Sequence, residues 1–169
     1  RHALKGRDPH YVEQICQQMT AGMVRVSEMG SYIDFCLWDL LGKIHGVPVY
    51  QLLGAQKDKM PCYTSTLCYA TIDEYVEEAK RIQAMGIRGF KLHGAGGPDK
   101  DIEACTAVRE ACPDMHLMLD AVNAYDREGA LKVGRVLEKL NFEWYESPIK
   151  DDDWEGYCYL RSKLDIPMA

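Results

Sequence analysis

The sequence predicts an α/β fold in which parallel strands alternate with helices. From Met60 onward, short apolar strands and amphipathic helices alternate about four times, with a repeat of about 25 to 30 residues. Three of the predicted strands end in ionisable residues. The 169-residue chain is 47% hydrophobic and 27% charged, a composition typical of globular domains. These observations favour either a (β/α) barrel or an open parallel sheet.

Residues 1–55 carry helix signals and no strand pattern. Helices are predicted at about 8–19, 31–45 and 48–53. Asp8-Pro9 is typical of an N-cap followed by a first-turn proline, and Gly46 ends the second helix. His45, just before Gly46, fits a partner for the helix C-terminal dipole better than a ligand. We therefore assign residues 1–55 to a helical appendage or to the tail of a separate domain, and residues 56–169 to the repeat.

The repeat pairs each predicted strand with a following helix. Strands are predicted at 61–65, 88–93, 116–120 and 142–146, and helices at about 71–85, 99–112, 126–140 and 154–164. Thr71 with Glu74 three residues later is a capping box, which marks a helix start. Ile166 to Ala169 is typical of a fifth strand that is beginning. A complete eight-unit barrel needs about 250 residues, so we expect this chain to be about half of a barrel and a piece of a longer polypeptide.

Charge and cysteine content narrow the classes of partner and the cellular compartment that we expect. The formal net charge of −6 argues against nucleic acid or an anionic membrane as the main partner, and a small molecule is the better expectation. No apolar run reaches the about 20 residues that span a bilayer, so we expect a soluble protein. The seven cysteines are odd in number and form no CxxC pair, which favours a reducing cytoplasm.

The ionisable strand ends predict an active site. Lys91 and His93 lie on one face of a predicted strand, while Asp120 and Glu146 end the next two. Because parallel strands joined by helical crossovers end at the same edge of the sheet, we expect all four side chains to meet there. Two neighbouring nitrogen bases suit a proton acceptor and a cation that lowers its pKa. The alternative is a solvated lysine beside a hydrogen-bonded histidine.

Asp120 and Glu146 predict a cation between them. Carboxylates on adjacent strands repel each other unless a positive charge, such as a divalent ion or Lys91, lies between them. Mg²⁺ prefers oxygen ligands and keeps positions open for substrate, so it suits this pair better than zinc. The alternative is that each acid caps a helix or forms a separate ion pair.

At these residues the chain resembles the mandelate racemase and muconate lactonizing branch of the enolase superfamily. Residues 32–43 and 48–54 look like the helical end of that family's N-terminal capping domain. Lys91-Leu92-His93 is similar to its Lys-x-Lys motif. Asp120 and the run Trp144 to Pro148 stand where the family ends its third and fourth strands with metal ligands. The resemblance implies a TIM-like barrel with Mg²⁺ as cofactor.

The resemblance implies that the protein removes the proton α to a carboxylate, while the metal stabilises the enediolate. Enzymes of this superfamily combine a lysine or histidine base with Mg²⁺. Lys91 and His93 would be the catalytic bases, Asp120 and Glu146 the metal ligands, and Lys91 and Asn123 the substrate contacts. The departures are His93 for the second lysine, Val122 where relatives often carry Asn, and Ser147 for a glutamate. A third carboxylate would be expected shortly after Ala169.

The expected function is that of a Mg²⁺-dependent dehydratase or racemase acting on a hydroxy acid such as a sugar acid. One alternative is an aldolase-like barrel in which Lys91 forms a Schiff base. Another is a truncated, inactive module with only an interaction role. Barrel enzymes with helical caps often assemble symmetrically, so we expect a homo-oligomer of unspecified size.

Overall fold

The computed structural model describes residues 4–20, 27–94 and 96–169, and the side chains of all of these except 20 and 27–31. The chain divides into two compact units, Arg1–Met60 and Pro61–Ala169. In the described part of the chain, no helix is long and apolar enough to cross a membrane.

The first unit is helical. It contains α1 (Val12–Thr20), α2 (Ser27–His45) and α3 (Val49–Leu52). Apolar side chains of α1 and α2 form its small core, which contains Val12, Ile15, Leu37 and Leu41. Burying these side chains stabilises each helix more than its intrinsic propensity does.

Two helix starts differ from the sequence prediction. The first helix begins at Val12, because the Asp8 carboxylate accepts a hydrogen bond from the His10 backbone N–H at 3.0 Å and forms a separate turn. The second helix begins at Ser27, ahead of the apolar periodicity that starts at Ile33. It ends at His45, where Gly46 adopts a positive φ of 67°.

The second unit alternates strands with helices along the whole of its length. The strands are β1 (Tyr63–Ser65), β2 (Gly89–His93), β3 (His116–Asp120) and β4 (Tyr145–Glu146). The helices are α4 (Ile72–Ala84), α5 (Pro98–Ala111), α6 (Arg127–Lys139) and α7 (Trp154–Arg161). The four strands form one parallel sheet in the order β1-β2-β3-β4.

The two faces of this sheet have different surroundings. Phe90, Leu92, Leu117 and Leu119 are almost fully buried in the main apolar core, together with side chains from the helices. Their neighbours along β2 and β3 point to the opposite face, because successive strand residues alternate. Lys91, His93 and Asp120 therefore share the face that lies away from this core.

The predicted fourth strand is shorter in the structure. Regular pairing with β3 covers only Tyr145–Glu146, although Glu143 N–H already donates to the Leu117 carbonyl at 2.8 Å. On the other side of β4, Tyr145 forms an isolated parallel bridge with Met168. Residues 167–169 thus lie where a fifth strand was predicted, next to β4.

Candidate active site

The sheet register brings the predicted site residues into one row. His93 pairs with Asp120, and Asp120 pairs with Glu146, so the ends of β2, β3 and β4 lie side by side. Lys91 lies two residues before His93 on the same face. The four ionisable side chains that were predicted to meet at this edge are brought together there.

Lys91 links the two carboxylates. Its Nζ lies 2.7 Å from Glu146 Oε2 and 3.4 Å from Asp120 Oδ2. His93 Nε2 lies 3.1 Å from the same Asp120 oxygen. The side chains of Lys91 and Asp120 are only 8% and 13% exposed, so water screens these interactions weakly.

Two opposing effects act on the pKa of Lys91. Burial, the largest single effect, disfavours the ammonium form, but the hydrogen bonds and charges of Glu146 and Asp120 outweigh it. The net result is a raised pKa, which keeps Lys91 cationic at neutral pH. A Schiff-base nucleophile must be a neutral amine, so these ion pairs disfavour the aldolase-like alternative.

Backbone and indole donors hold the two carboxylates in place. The Val122 backbone N–H donates to Asp120 Oδ1 at 3.0 Å, and Trp144 Nε1–H donates to Glu146 Oε2 at 3.4 Å. Val122 has a φ of 53°, a left-handed conformation that is strained for a β-branched residue. Asp120 is therefore fixed by a turn that costs backbone energy.

The two ring nitrogens of His93 have different surroundings. Nε2 faces Asp120, whereas Nδ1 is a buried polar atom with no hydrogen-bond partner among the described residues. An unpaired buried polar atom is costly, and such atoms concentrate at functional sites. The backbone of His93 is held separately, because the Tyr75 hydroxyl donates to its carbonyl at 2.5 Å.

Asn123 is turned away from the cluster. With its amide oriented to match its neighbours, the nitrogen donates to the Ile149 carbonyl at 2.6 Å and to Asp151 Oδ1 at 3.0 Å. Its backbone N–H donates to the Ser147 carbonyl at 2.8 Å. The side chain thus joins the loops that follow β3 and β4, and its predicted contact with substrate stays a prediction.

Sequence reasoning missed the side chains that hold the backbone of β2 from outside the sheet. Thr66 Oγ1 donates to the Lys91 carbonyl at 3.0 Å, and the Tyr75 hydroxyl donates to the His93 carbonyl at 2.5 Å. Both contacts join positions 18 or more residues apart. No local motif signals them, because they depend on how β1 and α4 pack against β2.

The carboxylates fit part of a magnesium site. In the ranges that the structure describes, no group of three or more His, Cys, Asp and Glu side chains is placed to hold a metal ion. One oxygen each of Asp120 and Glu146 nevertheless lies within 3.4 Å of the same Lys91 nitrogen, so both already face one cation. Hard carboxylate oxygens are the ligands that Mg²⁺ takes, usually one or two per site.

Comparisons with known proteins identify the family of the chain. The family described as "Enolase C-terminal domain-like" matches residues 74–169. The family "Mandelate racemase / muconate lactonizing enzyme, N-terminal domain" matches residues 2–54. Together these two matches cover both units of the chain.

Three relatives illustrate the similarity. L-talarate/galactarate dehydratase of Salmonella typhimurium is 36% identical over 98% of this chain and 44% of its own length. N-succinyl-L-Arg/Lys racemase of Bacillus cereus is 30% identical over 98% of this chain and 46% of its own. The crystal structure of D-glucarate dehydratase from Agrobacterium tumefaciens, complexed with magnesium, has a TM-score of 0.81, 36% identity, and coverage of 99% and 49%.

The chain spans about half the length of the curated relatives that it matches. Its structural neighbours are TIM barrels of the enolase superfamily, which confirms the predicted fold class: the parallel sheet of the second unit corresponds to part of such a barrel. The chain belongs to the mandelate racemase and muconate lactonizing branch of the enolase superfamily.

Proposed function

We propose that this protein serves a Mg²⁺-dependent reaction that removes the proton α to the carboxylate of a hydroxy acid such as a sugar acid. The observation that carries the proposal is the row of Lys91, His93, Asp120 and Glu146 at the ends of adjacent strands. Dehydratases and racemases among the relatives support the general reaction type. Within that type, we propose that the protein is a sugar-acid dehydratase or a racemase.

Asp120 and Glu146 would hold the metal. Both present carboxylate oxygens to one point, and Val122 N–H and Trp144 Nε1–H fix their orientation. When bound, Mg²⁺ would neutralise the negative charge that develops on the substrate carboxylate as the α-proton leaves. Magnesium in the D-glucarate dehydratase structure supports this choice of ion.

His93 and Lys91 would have separate tasks. A neutral imidazole can accept the α-proton at a ring nitrogen, and Nε2 is the ring nitrogen of His93 that lies at the row of site residues, 3.1 Å from Asp120 Oδ2. Lys91 is held as an ammonium ion, so we assign it to substrate binding through the carboxylate first and to proton transfer second. Asn123 would contact substrate only if its amide leaves Ile149 and Asp151.

Proton exchange provides the test. The 169-residue chain is incubated in D₂O with Mg²⁺ and a panel of aldonic and aldaric acids, and loss of the α-proton signal is followed by NMR. A dehydratase would also release a 2-keto-3-deoxy acid, whereas a racemase would invert the α-carbon. We expect exchange with at least one acid and its loss when the metal is chelated.

A pair of histidine variants controls the test. His93→Asn should abolish exchange, while His116→Asn should not, because His116 is exposed and pairs with Glu143 away from the site. Exchange that survives chelation or His93→Asn would contradict the proposed mechanism. No exchange with any acid would contradict the assignment of the activity to this chain.

A further inference from the structure

We propose that His10 and His45 form a second metal site, in the helical unit, for a divalent transition metal that prefers imidazole, such as Zn²⁺ or Ni²⁺. His10 precedes α1 and His45 is the last residue of α2. Their Nε2 atoms lie 3.1 Å apart, and the rings meet edge to face. This site is independent of the proposed magnesium site, where the metal ligands are carboxylate oxygens.

The separation of the two nitrogens suits a shared metal ion. Metal–nitrogen bonds of about 2.0–2.1 Å place nitrogens in neighbouring coordination positions about 2.9–3.4 Å apart. The observed 3.1 Å lies inside this range. Without metal, the same distance is a hydrogen bond in which one ring donates its Nε2 proton to the other. A metal ion would replace that shared proton once the rings rotate so that both Nε2 lone pairs point at it.

Asp8 prepares His10 for this role. Its Oδ1 lies 2.6 Å from His10 Nδ1, and since a carboxylate can only accept, Nδ1 carries the proton. In the neutral ring this leaves the Nε2 lone pair free to bind His45 or a metal. Metal-binding histidines typically donate their second N–H to a carboxylate or carbonyl in this way, which fixes the tautomer and ring orientation.

The site would be open and exchangeable. His10 and Asp8 are about half exposed, and no third His, Cys, Asp or Glu among the described residues completes a cluster around the pair. Water would therefore fill the other coordination positions. Binding would connect the start of α1 to the end of α2, whose side chains share the core of the first unit. Since a metal that binds only the folded state adds stability, metal binding should raise the free energy of unfolding of the first unit.

Titration with Ni²⁺ tests the site. Calorimetry is carried out on the 169-residue chain with saturating Mg²⁺, so that the oxygen site is blocked, and with a non-thiol reductant that keeps the cysteines reduced. We expect one saturable equivalent of Ni²⁺, lost in both His10→Gln and His45→Gln. Asp8→Asn should keep the stoichiometry and weaken affinity by about tenfold, the low end of the range for such orienting carboxylates.

Two controls separate this site from other metal-binding groups. His116→Gln removes an exposed histidine of the second unit and should leave the Ni²⁺ isotherm unchanged. Asp120→Asn should also leave it unchanged, even if it abolishes Mg²⁺ binding, so failure of one site is distinguishable from failure of the other. In the unsubstituted chain, paramagnetic Ni²⁺ should broaden the imidazole NMR signals of His10 and His45 before that of His116.

The proposal is overturned by any of three results. These are no Ni²⁺ heat in the unsubstituted chain, an unchanged isotherm in His10→Gln or His45→Gln, or simultaneous broadening of all imidazole signals. Circular dichroism of each variant verifies its helix content. Because both side chains are exposed, we expect the variants to fold.

Discussion

At the scale of single residues, the site depends on the cation between two acids. Asp120 and Glu146 end neighbouring strands, and their mutual repulsion is offset by Lys91. Lys91 and a divalent ion would compete for the same carboxylate oxygens. The stability of the fold should therefore depend on Mg²⁺ most strongly when the lysine is absent.

Lys91→Met should make folding depend on Mg²⁺. Breaking a fully buried ion pair costs about 3–5 kcal/mol, but Glu146 is 30% exposed and water screens it, so we expect about 1–3 kcal/mol without metal. Added Mg²⁺ should recover much of this loss. Urea unfolding with and without Mg²⁺ measures both values. Lys163→Met, at an exposed lysine, is the control, and an equal response of both variants to Mg²⁺ would refute the prediction.

The backbone conformation of Val122 should lower the stability of the fold. Its φ of 53° is unfavourable for a β-branched residue, whereas Asn adopts this conformation readily. The side chain is 53% exposed, so little packing is lost on substitution. We expect Val122→Asn to raise the free energy of unfolding by about 1 kcal/mol, measured by urea unfolding. Val122→Ile keeps the branch and should bring no gain; a gain in both variants would show that strain is not the cause.

At the scale of elements, local signals predicted more than non-local ones. The Thr71–Glu74 capping box was predicted and is present, because capping involves residues three apart. The prediction that Asp8 caps the first helix was wrong. Its carboxylate instead contacts the His10 backbone N–H and His10 Nδ1. Nothing nearby in the sequence distinguishes an aspartate that caps a helix from one that forms such a turn. The start of the first helix shifted accordingly.

The site shows the same division between local and non-local information. Strand alternation and parallel order suffice to predict that Lys91, His93, Asp120 and Glu146 share an edge. They do not predict which oxygen Lys91 binds, because that depends on rotamers and burial. The orientation of Asn123 and the support from Tyr75 also escaped prediction, since both depend on loops or helices packed from elsewhere in the unit.

Thr71→Ala should weaken α4. The Thr71 hydroxyl accepts from Glu74 N–H at 3.3 Å, and Glu74 accepts in return from Thr71 N–H at 2.9 Å. Losing the cap should cost about 1 kcal/mol, as measured by urea unfolding. Thr71→Ser keeps the hydroxyl and should cost much less. Equal losses in Ala and Ser variants would mean that packing of the methyl group, not capping, stabilises this start.

At the scale of the whole molecule, the chain consists of two units with separate cores. The sequence placed the change of pattern between residues 55 and 56, and the contacts divide the chain after Met60. The family matches end at residue 54 and resume at residue 74. Residues 54–62 contain no helix or strand and are all exposed. A protease can reach the backbone of such a segment without any unfolding of the chain.

Limited trypsin digestion should therefore cut the chain first after Lys57 or Lys59, within this exposed segment. In the fragment that starts at Asp58 or Met60, the stretch from α4 to α6 should resist further digestion, because its lysines and arginines lie in helices packed on the core of the second unit. Mass spectrometry over a time course identifies the products. The double variant Lys57→Gln/Lys59→Gln should slow release of this fragment markedly. An early cut after Lys139, in α6, would instead mean that the second unit opens more readily than the segment before it.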